Sequence, residues 1–368
     1  MRSPDVFCLN KDCPARGQVG QGNIRGHGKK RPRFKCQVCG KTFSARAGTP
    51  FFRRRTDEMT ITCVVTLVGN GCPVPAIEAA FGFQAQTVRE WMEASGQQCE
   101  RLHNQQVVQP RDLGHVQADE IRLKTQAGVL WMAMAMMVTT RLWLGGAVSS
   151  TRDRTLIQRL VAVVAACASF GPLLFVTDGL KTYIDVVRCA FRTRQGDTGG
   201  RPRLIGWPDL VIAQVVKQYT GRAVTGSIHR LVHGSVQMFL TLLWSTPGCQ
   251  VLNTAFIERL NGTFRSRLAV FGRRTRVLAR RLATVEGGMY LVGTLYNFCC
   301  VHRSLRGADG QRRTPAMASG ITDHVWSVSE VLHYRVPPPR WEPPRRPGRR
   351  SRALQALIDR WCPHHRLA

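Results

Sequence analysis

Leu173-Leu-Phe-Val-Thr-Asp178-Gly179 is the stretch on which the fold turns. Leu173 to Val176 is an unbroken apolar run, the pattern of a strand buried on both faces. The acid and glycine that follow mark the strand's carboxyl end and a turn. Upstream, Arg154 to Ser169 reads as a helix with a broad apolar face. Before it, Leu130-Trp-Met-Ala-Met-Ala-Met-Met-Val138 and Leu142-Trp-Leu-Gly-Gly-Ala-Val148 read as two strands joined by a turn at Thr139-Thr-Arg141. Earlier still, Leu113 to Asp119 alternates partially and also ends in an acid. Downstream, a long helix begins near Asn253, with Ile257, Leu260, Phe264 and Leu268 as its buried stripe. Glu258, Asn261 and Arg265 lie on a neighbouring face of that helix.

Three strands, a helix, a further strand and later helices match the element order of an α/β, ribonuclease-H-like fold. In that fold the first and fourth strands are neighbours, so Asp119 and Asp178 should stand side by side, with Glu258 brought over them by its helix. Mg²⁺ prefers carboxylate oxygens and keeps several waters. Two Mg²⁺ or Mn²⁺ ions on these three acids could activate an attacking oxygen and stabilise a leaving one. Each acid has a plainer alternative. Glu120 competes with Asp119 as first ligand, Asp178 could be a turn aspartate, and Glu258 could pair with Arg259 or Arg265 in solvent.

The chain has 368 residues, enough for more than one domain. Its 53 Lys and Arg against 23 Asp and Glu give a formal charge of +30, spread along the whole sequence. Such a surplus attracts polyanions, which makes nucleic acid the expected partner. No apolar stretch reaches the length of a membrane span, and no apolar segment follows Met1-Arg-Ser-Pro-Asp5 as a secretory signal requires. The 13 cysteines then suggest a reducing compartment. A cytoplasmic protein is expected, nucleoid-associated if the source is prokaryotic, with no membrane partner.

Residues 1–50 form a loop-rich module in need of a staple. Cys8-x4-Cys13 and Cys36-x2-Cys39 supply two short-spaced thiol pairs, the pattern of a tetrahedral structural Zn²⁺. The second pair sits in Phe34-Lys-Cys36-Gln-Val-Cys39-Gly40-Lys-Thr-Phe43, whose aromatics offer a miniature core. His27 is a rival ligand. Lys29, Lys30 and Arg31, with Arg33 and Lys35, suggest contact with a phosphate backbone.

Residues 51–110 read as an all-α, helix-turn-helix domain. Thr56-Asp57-Glu58 opens a first helix carrying Ile61, Val64, Val65 and Val68. Val74 to Met92 then reads as two short helices around a turn at Gly82, with Ile77, Ala80, Val88 and Trp91 as the shared core. The second would expose Gln84, Gln86, Thr87 and Arg89, side chains able to read base edges in a major groove. A plain helical hairpin is the alternative.

Gln117-Ala-Asp119-Glu120, Val176-Thr-Asp178-Gly-Leu-Lys-Thr-Tyr183 and Asn253-Thr-Ala-Phe-Ile-Glu258-Arg-Leu-Asn261 resemble the three acid motifs of DDE transposases, most closely the insertion-sequence-one group. Tyr296-Asn-Phe-Cys-Cys-Val-His302-Arg303-Ser-Leu305 resembles the segment that follows the catalytic Glu in such enzymes. The group also carries an amino-terminal zinc ribbon and helix-turn-helix, so the resemblance spans about residues 5–310. It implies a metal-dependent polynucleotidyl transferase that cuts DNA at element ends and joins the 3′-hydroxyls to target DNA. Asp119, Asp178 and Glu258 would be its catalytic metal ligands, Arg265, His302 and Arg303 further DNA contacts, and element ends and target DNA its partners. It would work as a homo-oligomer, since two ends must be held together. An idle, transposase-derived DNA-binding regulator and a metal-dependent nuclease without joining activity are the rivals.

The catalytic domain would span residues 111–310. Asp178 and Glu258 are 80 positions apart, which suggests a basic insertion at about 193–250 carrying Arg201, Arg203, Lys217, Arg222, His229, Arg230 and His233. Residues 311–368 read as a basic Pro/Arg-rich tail. A short amphipathic helix within it would use Leu354, Leu357, Ile358 and Trp361. Cys362-Pro-His364-His365 reads as unstructured.

Overall fold

The computed structural model describes residues 6–28, 33–126, 128–195, 203–221, 223–271, 281–343 and 350–362. Lys29, Lys30, Arg31, Arg201, Arg222, His364 and His365 lie outside them. The chain divides into two compact units, one of residues 1–58 with 333–368, the other of residues 59–332.

The smaller unit is built on a three-stranded antiparallel meander, β1 (Ile24–His27), β2 (Arg33–Cys36) and β3 (Thr42–Ser44). Phe34 pairs with Phe43 across β2 and β3, their rings 5.9 Å apart. Gly40 follows the second cysteine pair at φ 70°, a conformation glycine adopts without steric cost, and its N–H closes the turn onto Cys36 O at 2.9 Å. So small a module buries little apolar surface of its own. The segment read from composition as a tail supplies more. Helix Arg352–Trp361, capped by the Ser351 hydroxyl, buries Ile358 and Trp361. Trp361 packs among Val6, Ala15, Ile24 and the cysteines, and its carbonyl accepts from Gln18 at 2.9 Å.

The larger unit begins with α1 (Glu58–Gly69), α2 (Val74–Phe81) and α3 (Ala85–Gln106). Ile61, Val64, Val65 and Val68 of α1 are buried, as are Ile77, Val88 and Trp91; Ala80 faces solvent instead. Gly82 ends α2 at φ 70° with its N–H on Glu78 O, and Glu78 Oε1 accepts the Ala85 N–H at 2.8 Å. The turn residues anticipated from sequence thus close one helix and open the next. Far from short, α3 runs 22 residues. Its second half packs on α8 (Leu282–Cys299), where Gly96 meets the Gly287 backbone so closely that a Cβ would come within 2.6 Å of Gly287 O.

Next come β4 (Gly114–Thr125), β5 (Gly128–Met137), β6 (Leu142–Ser149), α4 (Arg154–Cys167), β7 (Leu173–Thr177) and α5 (Thr182–Ala190). After them β8 (Arg192–Gln195) and β9 (Arg203–Gly206) make a small separate ladder. Then follow β10 (Leu210–Thr220), β11 (Ala223–His233), α6 (Val236–Ser245) and α7 (Ala255–Arg267). The unit is mixed α/β, with a six-stranded sheet in the order β11-β10-β7-β4-β5-β6. β4, β7 and β10 run parallel, while β5, β6 and β11 are antiparallel to their neighbours. Residues read above as part of an insertion therefore supply two strands of the main sheet. Leu210 to Ile212 pair with Leu173 to Phe175 and are fully buried, an apolar run masked in sequence by the polar, basic stretch that follows. Contacts place α4 on β5 and β6, and α7 on β4 and β5.

Asn297 anchors α8 to the sheet. Its amide oxygen accepts the Trp143 N–H and its Nδ2 donates to the Trp143 carbonyl, both at 2.9 Å. In effect a side chain substitutes for a strand partner at an irregular stretch of β6. Replacing Asn297 with Ala strands two buried backbone groups. Asn297→Ala should lower stability in urea unfolding by about 2–4 kcal/mol; a loss within 0.5 kcal/mol would refute the clamp.

Candidate functional site

β4 and β7 pair in parallel with Val116 opposite Phe175 and Gln117 opposite Val176. Continued two residues, that register sets Asp119 opposite Asp178. Successive strand residues face opposite sides of the sheet, so Gln117 and Asp119 look toward α7 while Glu120 looks toward α5. The contacts agree. Asn261 of α7 donates to Asp119 Oδ2 at 2.7 Å, and the buried Tyr183 hydroxyl of α5 donates to Glu120 Oε1. Asp119, Glu120 and Asp178 each offer a carboxylate oxygen within 4.8 Å of the others.

Glu258 does not join that group of three. Its Oε1 accepts from Lys217 Nζ of β10 at 2.6 Å and from Thr254 at 2.7 Å. These bonds outweigh the effect of its burial and hold its carboxyl below the usual range. Gln117 fixes the start of α7 by donating to Asn253 O at 2.8 Å and accepting the Ile257 N–H at 3.1 Å. It thereby holds the turn that carries Glu258 against β4. Asp178 accepts the Leu180 N–H at 3.0 Å, while Gln214 of β10 donates to the Asp178 and Leu180 carbonyls.

Arg152 spans two of the acids, 2.6 Å from Glu120 Oε2 and 3.0 Å from Asp178 Oδ2, with its guanidinium 5.2 Å from the Trp131 ring centre. Four carboxylates (Asp119, Glu120, Asp178, Glu258) thus face two side-chain cations, Arg152 and Lys217. With all four ionised, the difference, four minus two, is two negative charges. Among the described residues no ion pair reaches Asp119, though Lys217 feels its charge. Burial first, then the charges of Glu120, Asp178 and Glu258, push its carboxyl up to about 7. Burial raises Glu120 too, against the opposing Tyr183 bond and Arg152 charge. An excess of two negative charges over adjacent oxygens suits a hard divalent cation.

Sequence reasoning anticipated Asp119, Asp178, Glu258 and Asn261 here. It did not single out Gln117, Arg152 or Gln214, and it named Lys217 only within a basic insertion, not as the partner of Glu258. Gln117 had a legible signal, since it lies two residues before Asp119 on a strand and must share its face. Arg152, in a loop, had none. Tyr183, at the end of the second acid motif, is fully buried against Glu120.

In the smaller unit the four sulfurs of Cys8, Cys13, Cys36 and Cys39 lie within 4.8 Å of one another. Cys8 and Cys39 are 3.7 Å apart, Cys13 and Cys36 3.8 Å. Tetrahedral edges are about 3.8 Å for a metal–sulfur bond of about 2.3 Å. The separations fit four thiolates on one ion and exclude disulfides. Burial pushes Cys13 up to about 12 and Cys8 higher still, so an uncompensated thiolate set is costly.

Gln84, Gln86 and Arg89 are exposed at the start of α3 and Thr87 is half-buried; Gln86 also bonds Glu90 at 3.4 Å. Arg265 and His302 are half-buried, and Arg303 is exposed. Among the described residues no helix is long and apolar enough to cross a membrane.

Among solved structures, the chain is similar to a piggyBac transposase in a synaptic complex with hairpin DNA, at 8% identity and a TM-score of 0.34, covering 88% of this chain and 75% of that one. No family model and no curated protein matches it.

Asp119 must lose its proton to bind a cation. Between the ordinary carboxylate range and about 7 the folded protein keeps this proton and the unfolded chain does not. The group therefore makes the metal-free fold less stable as pH rises through that window. A bound cation reverses the effect. Mg²⁺ or Mn²⁺ should raise the melting temperature more at pH 8 than at pH 6, and Asp119→Asn should remove the difference. An equal shift at both pH values would exclude Asp119 as a ligand.

Proposed function

We propose that this chain is a DDE-type transposase of the insertion-sequence-one-like kind, cutting and joining DNA at element ends. The observation that carries the reading is the register of β4 and β7, which opposes Asp119 to Asp178 beneath the helix that bears Glu258. The strand order supports a ribonuclease-H-like catalytic domain: an antiparallel β6-β5-β4 set continued by parallel β7 and β10. Supporting it, Asp119 lies within β4 two residues beyond its last pairing with β7, Asp178 directly follows β7, and Glu258 lies in the first turn of α7.

Asp119 and Asp178 would hold the divalent cations, Mg²⁺ or Mn²⁺, with Glu258 completing the set. Such ions, when bound, supply activation of the attacking oxygen and charge relief on the leaving one. The chain's own groups do the rest. Glu120, anchored by Tyr183, holds Arg152 at the edge of the site, where its fork matches phosphate oxygens. Lys217 is poised to exchange Glu258 for a DNA phosphate. Water attack on a phosphodiester frees a 3′-hydroxyl, which then attacks target DNA. The exposed face at the start of α3, with Gln84, Gln86, Thr87 and Arg89, would read element ends in a major groove. Zn²⁺ on Cys8, Cys13, Cys36 and Cys39 would staple the small unit. Two ends held together imply a homo-oligomer.

Incubating the protein with labelled DNA copied from the sequences flanking this reading frame, a target duplex and Mg²⁺ separates three outcomes. Joined product is expected. Cleavage alone marks a nuclease, and binding alone a regulator with an idle site. Glu258→Gln should bind the same DNA while losing nicking and joining by about 10³-fold or more; full joining by that variant would sink the assignment. Purified protein should carry stoichiometric zinc, and Cys36→Ser should release it and expose residues 6–58 to protease. Unchanged zinc content in Cys36→Ser would exclude the four-thiolate site.

A further inference from the structure

A second charged cluster lies on another flank of α7. Glu258 and Arg259 are consecutive, so their side chains diverge by about 100° around the helix. Phe256, Arg259, Thr263 and Arg267 recur every three or four residues and share the Arg259 side. Arg141, in the turn between β5 and β6, lays its guanidinium over the Phe256 ring, 3.9 Å from the centroid. Arg267 Nη2 reaches Cys300 Sγ at the end of α8 at 2.8 Å. Two residues on, His302 stands edge-on to Tyr296, ring centres 4.8 Å apart. The four basic side chains feel one another. Burial, then Arg259, Arg141 and Arg267, pull His302 down to about 4, so at neutral pH it offers an N–H and no charge.

Nothing among the described residues neutralises this cluster. Arg141 is 9% exposed yet donates only to the carbonyls of Val138 and Pro247. Arg267 donates to a thiol, and its Nη1 is buried with no partner. No carboxylate pairs with Arg141, Arg259 or Arg267. A buried donor without a partner is destabilising. Repelling cations and an unmet donor are costs that a bound anion would offset. Beyond His302 the loop to Arg313 adds Arg303, Arg306 and Arg312 against a single acid, Asp309.

We propose that Arg141, Arg259, Arg267 and His302 form a phosphodiester-binding subsite that grips the backbone of the DNA strand engaged by the catalytic acids. This rests on the DNA chemistry proposed above. Arg259 is exposed and forms the mouth; the more buried Arg141 and Arg267 form the floor. Guanidinium forks match the two free oxygens of a backbone phosphate. A phosphate held beside Arg259 keeps its strand in register with Glu258, the preceding residue of the same helix.

The test is DNA binding in EDTA, where cleavage cannot occur, by fluorescence anisotropy over a salt series. The probes are duplexes copied from the sequences flanking the reading frame. Arg259→Gln and Arg267→Gln should each weaken binding several-fold and lower the salt slope by about one. Arg259 is exposed, so Arg259→Gln should melt as the wild type does and report binding alone. Wild-type affinity and slope in both variants overturn the subsite. If the variants bind weakly but wild-type protein neither cuts nor joins, the subsite stands and the transposase reading falls. If wild type joins DNA and the variants bind normally, the subsite alone falls. Millimolar inorganic phosphate at fixed ionic strength provides a second arm. Should it raise the melting temperature of wild type but not of the variants, with DNA affinity unchanged, the cluster takes free phosphate and the strand assignment is overturned.

Discussion

The parallel pairing of β4 with β7 is the constraint on which the rest of the larger unit depends. One register decides that Asp119 and Asp178 stand opposite each other. A slip of one residue would turn Asp119 to the α5 face and Glu120 to the α7 face, separating both from their partners. The same register gives Gln117 to α7, and through it the position of Glu258. The apolar run of β7 holds the pairing because every residue from Leu173 to Thr177 is buried, so a slipped strand finds no better burial.

Crowded carboxylates work against that pairing. Two like charges 4 Å apart repel by about 4 kcal/mol at intermediate polarity. Here four acids share two internal cations. Arg152 serves a pair of them across the sheet edge, and Lys217 serves Glu258. Asp119 is left to balance itself by holding its proton more tightly. Burial makes Asp119 and Glu120 the costly members of the set, and a divalent cation suits the place because it delivers two positive charges into a small space.

Most of this sheet was legible in sequence because its strands carry period-two or unbroken apolar patterns. Asp178 was legible because it ends such a pattern, whereas the strand end expected at Asp119 is absent: β4 runs on to Thr125, where it pairs with β5 alone. β10 was not. Its apolar half, Leu210 to Val215, runs directly into polar and basic residues on an extended arm, and composition over a longer window hides the switch. Arg152 and Lys217 were invisible for a different reason. A cation that serves acids far away in sequence leaves no local trace, and this chain has too many cations for any one to stand out. The docking of Trp361 on the amino-terminal cysteines is likewise a contact between the two ends of the sequence, which no periodicity encodes.

On the proposed function, a polyanionic substrate must approach a cluster that is itself negative, and the placement of cations bears on how that would happen. On the proposed function, Arg152 and Lys217 have two uses that exclude one another in time. Without substrate they are counter-ions to Glu120, Asp178 and Glu258. Once divalent cations satisfy the acids, the same groups are released toward phosphate oxygens at the rim of the site. Arg141, Arg259 and Arg267 have no acids to serve, so their field is available from the outset. The first attraction of DNA would therefore fall on the basic flank of α7, and the acid flank would become receptive only after metal and phosphate have exchanged partners with Arg152 and Lys217. One helix, carrying Glu258 and Arg259 in consecutive positions, then links capture of the strand to assembly of the centre that cuts it.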